Sequence, residues 1–141
     1  NKGDAWGLGP QYWARNTHRF GYRANYGIWL DMVGAANASF PKEQFSMYYA
    51  SHIVDKVWTM AGSLGYDHYF IDERGGMIND DHYYINQIIG IPTINIIHLN
   101  PNSKNGTFFE HWHTREDTID KISPETLRVV GDVVLNVVYR E

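Results

Sequence analysis

Three groups of acidic and imidazole side chains in this sequence are of a type and spacing that could do chemistry. Asp31 is the one charged residue in the apolar run Tyr26 to Val33 (YGIWLDMV). An ionised carboxylate in such a run is costly unless a metal, a cation or hydrogen-bond donors meet it. A structural aspartate that caps the turn at Gly34 accounts for it equally well. Asn79-Asp80-Asp81-His82 sets two adjacent carboxylates and an imidazole at an expected helix start. A helix cap explains one of those carboxylates and not the other. His111-Trp112-His113-Thr114 is followed by Asp117-Thr118. In an extended segment both histidines face one metal, and in a turn only one does. A lone histidine is more often structural than a ligand, and position, after a strand and a glycine-bearing loop, is what strengthens this pair. The chain has no cysteine, so any metal must be held by His, Asp or Glu.

The elements that would position these groups follow from periodicity and punctuation. Trp6 to Asn16 reads as a loop entering a short helix, and Thr17 to Asn25 as a polar connection. The run holding Asp31 has the character of a buried strand. Apolar residues from Met47 to Ala61 recur at helical spacing, which predicts a helix over Ser46 to about Leu64. Tyr69 to Asn79 is expected as a short extended pair around Gly75 and Gly76, and Asp81 to Ile89 as a helix stopped by Gly90 and Pro92. Thr93 to Leu99 (TINIIHL) alternates as a strand, and a glycine- and asparagine-bearing loop follows. Ser123-Pro124-Glu125 opens a closing helix with a cap, a proline in the first turn and an acidic residue. This order predicts an α/β fold with a largely parallel sheet, in which polar side chains at the carboxyl ends of strands form the site.

Composition narrows the function classes. The 141 residues suit one domain, since a chain of this size buries roughly two thirds of its unfolded surface. The net charge of −4, without a cluster of Lys or Arg, gives nucleic acid no footprint. The longest apolar stretches fall well short of the roughly twenty residues needed to span a bilayer, so no membrane span is expected. Aromatic residues make up 15%, which suits either a filled core or a site that stacks on small substrates. The chain opens at Asn1 rather than Met, so it is expected to be a piece of a longer protein.

Leu30-Asp31-Met32-Val33-Gly34-Ala35, Asp80-Asp81-His82, Gly90-Ile91-Pro92, Thr93 to Leu99 and Trp112-His113-Thr114 with Asp117 resemble, in that order, the zinc aminopeptidase-type fold. The likeness is closest to glutaminyl-peptide cyclotransferases, particularly bacterial enzymes of the animal type, through Leu30 to Phe40 and the Trp112-His113-Thr114 run. It implies a three-layer α/β/α sandwich with a mostly parallel mixed sheet, of which residues 1–141 form the C-terminal part. It implies that His113 is a zinc ligand whose companions, an Asp and a Glu, lie upstream with a further Glu as general acid/base. By the same likeness Asp31 lies beside the reacting amide, and Asp81 with Asp80 behind it belongs to the hydrogen-bond network. Trp112 lines the glutamine pocket, with Trp6 a second wall.

The activity so implied is conversion of N-terminal glutamine to pyroglutamate with release of ammonia, on peptide or protein N-termini, by a secreted or periplasmic enzyme. Zinc is the cofactor. The nearest rival is a zinc aminopeptidase of the same fold, with Asp31 as a direct metal ligand. A non-catalytic fragment or binding domain is the third reading, with zinc held weakly or by a substitute set of His111, His113 and Asp31.

Overall fold

The apolar run around Asp31 forms a strand, β1 (Gly27–Asp31), and the isoleucine-rich run forms β2 (Thr93–Ile97) in a computed structural model that describes residues 5–140. The strands pair in parallel, Gly27 opposite Thr93 and Asp31 opposite Ile97, so their carboxyl ends lie together. Gly27 permits this approach, because a Cβ there would stand 2.7 Å from Thr93 Oγ1. Every residue of β2 is buried, as β-branched residues covered on both faces should be.

Alternation divides the strand residues between two clusters. Ile94 and Ile96 enter the larger core, where α2 (Gln44–Ser63) supplies Val54, Val57 and Ala61 and α4 (Pro124–Tyr139) supplies Val130, Val133 and Val137. Ile97 packs with Ile78 and Leu99 in a smaller one. The helices α1 (Leu8–Arg15) and α3 (Asp81–Ile88) complete the order α1, β1, α2, α3, β2, a short 3-10 turn at Ile119–Lys121, and α4. This is the α/β arrangement with a parallel sheet expected from the sequence. Among the described residues the sheet has two strands.

Side chains stand where a further strand would pair with the outer edge of β2. Asn86 of α3 accepts the Thr93 N–H at 3.0 Å and donates to the Thr93 carbonyl at 2.7 Å. Ser46 Oγ accepts the Asn95 N–H at 2.8 Å. Each buried backbone group so paired avoids the cost of a lost hydrogen bond.

Two boundaries were legible and two were not. Ser123 caps α4 through its bond from Thr126 N–H at 3.3 Å, and Gly90, at φ 70, ends α3 in the left-handed turn that glycine favours. The helix expected from Ser46 starts at Gln44, because Glu43 caps it. The stretch Tyr69 to Asn79 does not pair with itself around its glycines. It runs beside Phe40 to Lys42 instead, with Ile71 N–H to Phe40 O at 3.2 Å, Lys42 N–H to Glu73 O at 2.8 Å and Gly75 N–H to Lys42 O at 2.8 Å. Trp58 Nε1 secures it by donating to the carbonyls of Phe40 and Ile71. No helix among the described residues is long and apolar enough to cross a membrane.

Asn86→Ala would leave both Thr93 backbone groups unpaired in a buried site. Each unpaired group costs about 1–3 kcal/mol, so urea unfolding of the variant should show a loss of about 2–6 kcal/mol at unchanged m value. A loss well under 1 kcal/mol would mean that water replaces the amide.

Candidate active site

Asp31 is the last residue of β1, and the chain turns sharply after it, with Met32 at φ 49. That left-handed conformation costs a non-glycine residue about 1–2 kcal/mol and persists only where the surroundings enforce it. Asp80 stands against Asp31. One of its oxygens caps α3 by accepting Asp81 N–H at 2.7 Å, and the other accepts Asn95 Nδ2–H at 2.9 Å. The Asp31 and Asp80 carboxyls are themselves within hydrogen-bonding reach, a contact that requires a proton on one of them.

The electrostatics follow from three carboxyls gathered at one place. Burial first, and then the negative charge of Asp80, push the Asp31 carboxyl up to about 6, against the pull of the Met32 N–H. Burial and the Asp80 charge also raise Asp81. Asp80 rather than Asp81 is therefore the direct partner of Asp31. Asp81 faces a separate groove of about 470 Å³ with Trp13, Trp29 and Ile85.

Trp112 walls a cavity of about 210 Å³ that Met32 opens one residue beyond Asp31, with Phe109, Asp117 and Ile122 among its other sides. Asn105 Nδ2 holds the loop by donating to Trp112 O at 2.7 Å, and Phe108 lies 4.5 Å from the indole between ring centroids. His113 stacks on Trp112 at 3.7 Å and is exposed, with φ 59. The segment is a turn, closed by Thr114 N–H to His111 O at 3.0 Å. His111 turns to Glu116 at 3.2 Å and Glu110 at 3.6 Å, so the histidines do not act as a pair. Trp6 is not among the residues that line the Trp112 cavity; it donates from Nε1 to Asn79 O at 3.2 Å, beside the acidic turn.

Peptidase family M28 matches residues 3–138. The chain belongs to this family. It is 48% identical to a Zn-dependent exopeptidase of Parabacteroides distasonis, with a TM-score of 0.95 over 99% of this chain and 47% of that one. It is 49% identical to a Bacteroides thetaiotaomicron glutaminyl cyclase crystallised with N-acetylhistamine, at TM-score 0.92 over 97% of this chain and 46% of that one. The likeness to the glutaminyl cyclase of Tannerella forsythia is 48% identity and TM-score 0.94, over 100% of this chain and 48% of that one. The chain thus spans a little under half the length of each of these relatives. No curated protein matches it.

The zinc named for the exopeptidase relative sets a test for the donors of this M28 chain. His113 offers an exposed imidazole, and one accessible ring nitrogen is what coordination to a metal needs. Asp31 is engaged with Asp80 instead. Among the described residues no three His, Asp or Glu side chains are placed to hold one ion, so the substitute set of His111, His113 and Asp31 does not form. A single imidazole does not by itself make a zinc site.

Asn95 and Glu43 went unnoticed in the sequence. Asn95 is a polar residue in an apolar strand, the same signal that marked Asp31. Glu43 carries none, since glutamate is not among the favoured helix caps.

Because the folded protein raises Asp31 above its ordinary value, folding favours the neutral carboxyl. Stability is lost as pH rises from about 4 through about 6. Asp31→Asn removes that loss. Urea unfolding should find the variant more stable than the parent at pH 8 and equal to it below pH ~4; a pH-independent difference would contradict the raised value.

Proposed function

We propose that residues 1–141 form the C-terminal part of the single catalytic domain of a zinc-dependent glutaminyl-peptide cyclotransferase, which converts N-terminal glutamine to pyroglutamate. The observation that carries this reading is a small cavity walled by Trp112 and lined by Met32, the residue that follows the raised Asp31 carboxyl. The cavity suits one short side chain, and the indole offers it a flat wall and one N–H donor.

In the reaction the substrate's own amine nitrogen bonds to the carbon of its γ-carboxamide, the carbon–nitrogen bond of that amide breaks, and ammonia leaves. Asp31, with Asp80 beside it, holds the amide nitrogen by hydrogen bonding, and Asp81 adds its charge to the acidic turn that draws the substrate amine. A glutamate of an upstream segment carries the proton from amine to leaving nitrogen. Zinc, held by His113 with an upstream Asp and Glu, supplies electrophilic activation of the carboxamide carbonyl. Export from the cytoplasm is part of this reading and rests on the family likeness alone.

A second reading is a zinc aminopeptidase. The exopeptidase likeness favours it, and Asp31 at a strand end is well placed to be a metal ligand, in which case it is ionised and shares no proton.

The full-length protein should release ammonia from a peptide beginning with Gln, and chelation should abolish that release. Free leucine from a peptide beginning with Leu would shift the assignment to the aminopeptidase. Trp112→Ala should lower kcat/KM for the Gln peptide by at least about tenfold, the scale of a lost pocket wall, and an unchanged value would remove Trp112 from the pocket.

A further inference from the structure

Glu43 has no exposure to solvent, yet the proposed reaction gives it no part. Its Oε1 accepts Phe45 N–H at 2.9 Å and Ile78 N–H at 2.9 Å, and its Oε2 accepts Ser46 N–H at 2.7 Å, Ser46 Oγ–H at 2.7 Å and the His82 Nε2–H at 2.9 Å. His82 is equally buried, and its Nδ1 has no hydrogen-bond partner. Native interiors seldom leave a buried polar atom unpaired. A residue kept there for a single hydrogen bond implies that the bond does something packing alone would not.

The bonds from Glu43 run in two directions toward the acidic turn. Through Ile78 and His82 it grips both ends of the segment that carries Asp80 and Asp81. Through Ser46, whose Oγ donates to Glu43 and accepts the Asn95 N–H, it sets β2 at the residue whose side chain donates to Asp80. The two routes meet at Asp80, the hydrogen-bonding neighbour of Asp31.

We infer that Glu43, Ser46 and His82 are positioning residues that hold Asp80 against Asp31 from both sides, an inference that rests on the proposed role of Asp31 and Asp80 in the reaction. Glu43 touches no substrate; it acts through the Ile78–His82 turn and through Asn95.

The test compares Ser46→Ala, His82→Leu and His82→Gln in the full-length, zinc-loaded protein, reading kcat and KM with the Gln peptide together with thermal midpoint and zinc content. Ser46→Ala deletes the Oγ link and keeps the Ser46 N–H on Glu43, so it folds. Mutation of outer partners of a site commonly costs about 10–100-fold. Ser46→Ala and His82→Leu should therefore lower kcat by about tenfold while KM and zinc content hold. His82→Gln, whose amide nitrogen reaches about where Nε2 sits, should recover most of that loss. Variants that lower the thermal midpoint and leave kcat unchanged would overturn the inference and make the network a structural brace. Should His82→Leu not fold, Ser46→Ala decides the matter by the same two readings. If the parent releases leucine rather than ammonia, the cyclase reading fails, and the same kcat comparison on the Leu peptide judges the positioning role separately.

Discussion

A carboxylate removed from water must be met by donors, and Glu43 shows how much local structure that single requirement can organise. Burying such a charge costs several kcal/mol, and here backbone N–H groups, a serine hydroxyl and an imidazole offset it. Burial pushes the Glu43 carboxyl up, but those donors, His82 foremost, outweigh it and hold the group below its ordinary value. The folding stability this brings is therefore present above the ordinary glutamate range and falls away as pH drops through the lowered value. The donors belong to the start of α2, to the turn before α3 and to α3 itself, so one charge ties together segments 39 residues apart in the chain.

The opposite electrostatic situation holds at the end of the sheet. Parallel pairing brings the end of β1 to Ile97, and the cap of α3 delivers Asp80 to the same edge. The helix N-terminus and Asn95 meet the Asp80 carboxyl with donors, while Asp31 has the Met32 N–H against burial and the neighbouring charges, and its carboxyl is raised to about 6. A carboxyl raised in this way takes up a proton at a higher pH than an ordinary aspartate, which is how acid–base roles are tuned by environment.

Strand and helix periodicity made most of the fold legible, because core-facing residues such as Ile94, Ile96, Val57 and Val133 recur at the spacing their elements require. The acidic turn was legible because two adjacent carboxylates exceed the needs of one cap. The course of Tyr69 to Asn79 was not, since its partner, Phe40 to Lys42, is chosen by tertiary contacts with Trp58 rather than by local turn chemistry. The separate tasks of His111 and His113 were hidden for a similar reason. Whether that segment extends or turns depends on Asn105 holding it from a neighbouring loop. The family likeness, rather than any spacing in the chain, is what pointed to zinc and to the proposed role of His113.

If Asp80 and burial together hold a proton on Asp31 at the end of the parallel strands, that carboxyl must titrate well above a free aspartate. A pH titration of the Asp31 side-chain carboxyl by 13C NMR tests it most directly. The midpoint should lie near 6 and fall toward the ordinary aspartate value when Asp80 is replaced by Asn. An ordinary midpoint in the parent protein, or one indifferent to Asp80→Asn, would contradict it.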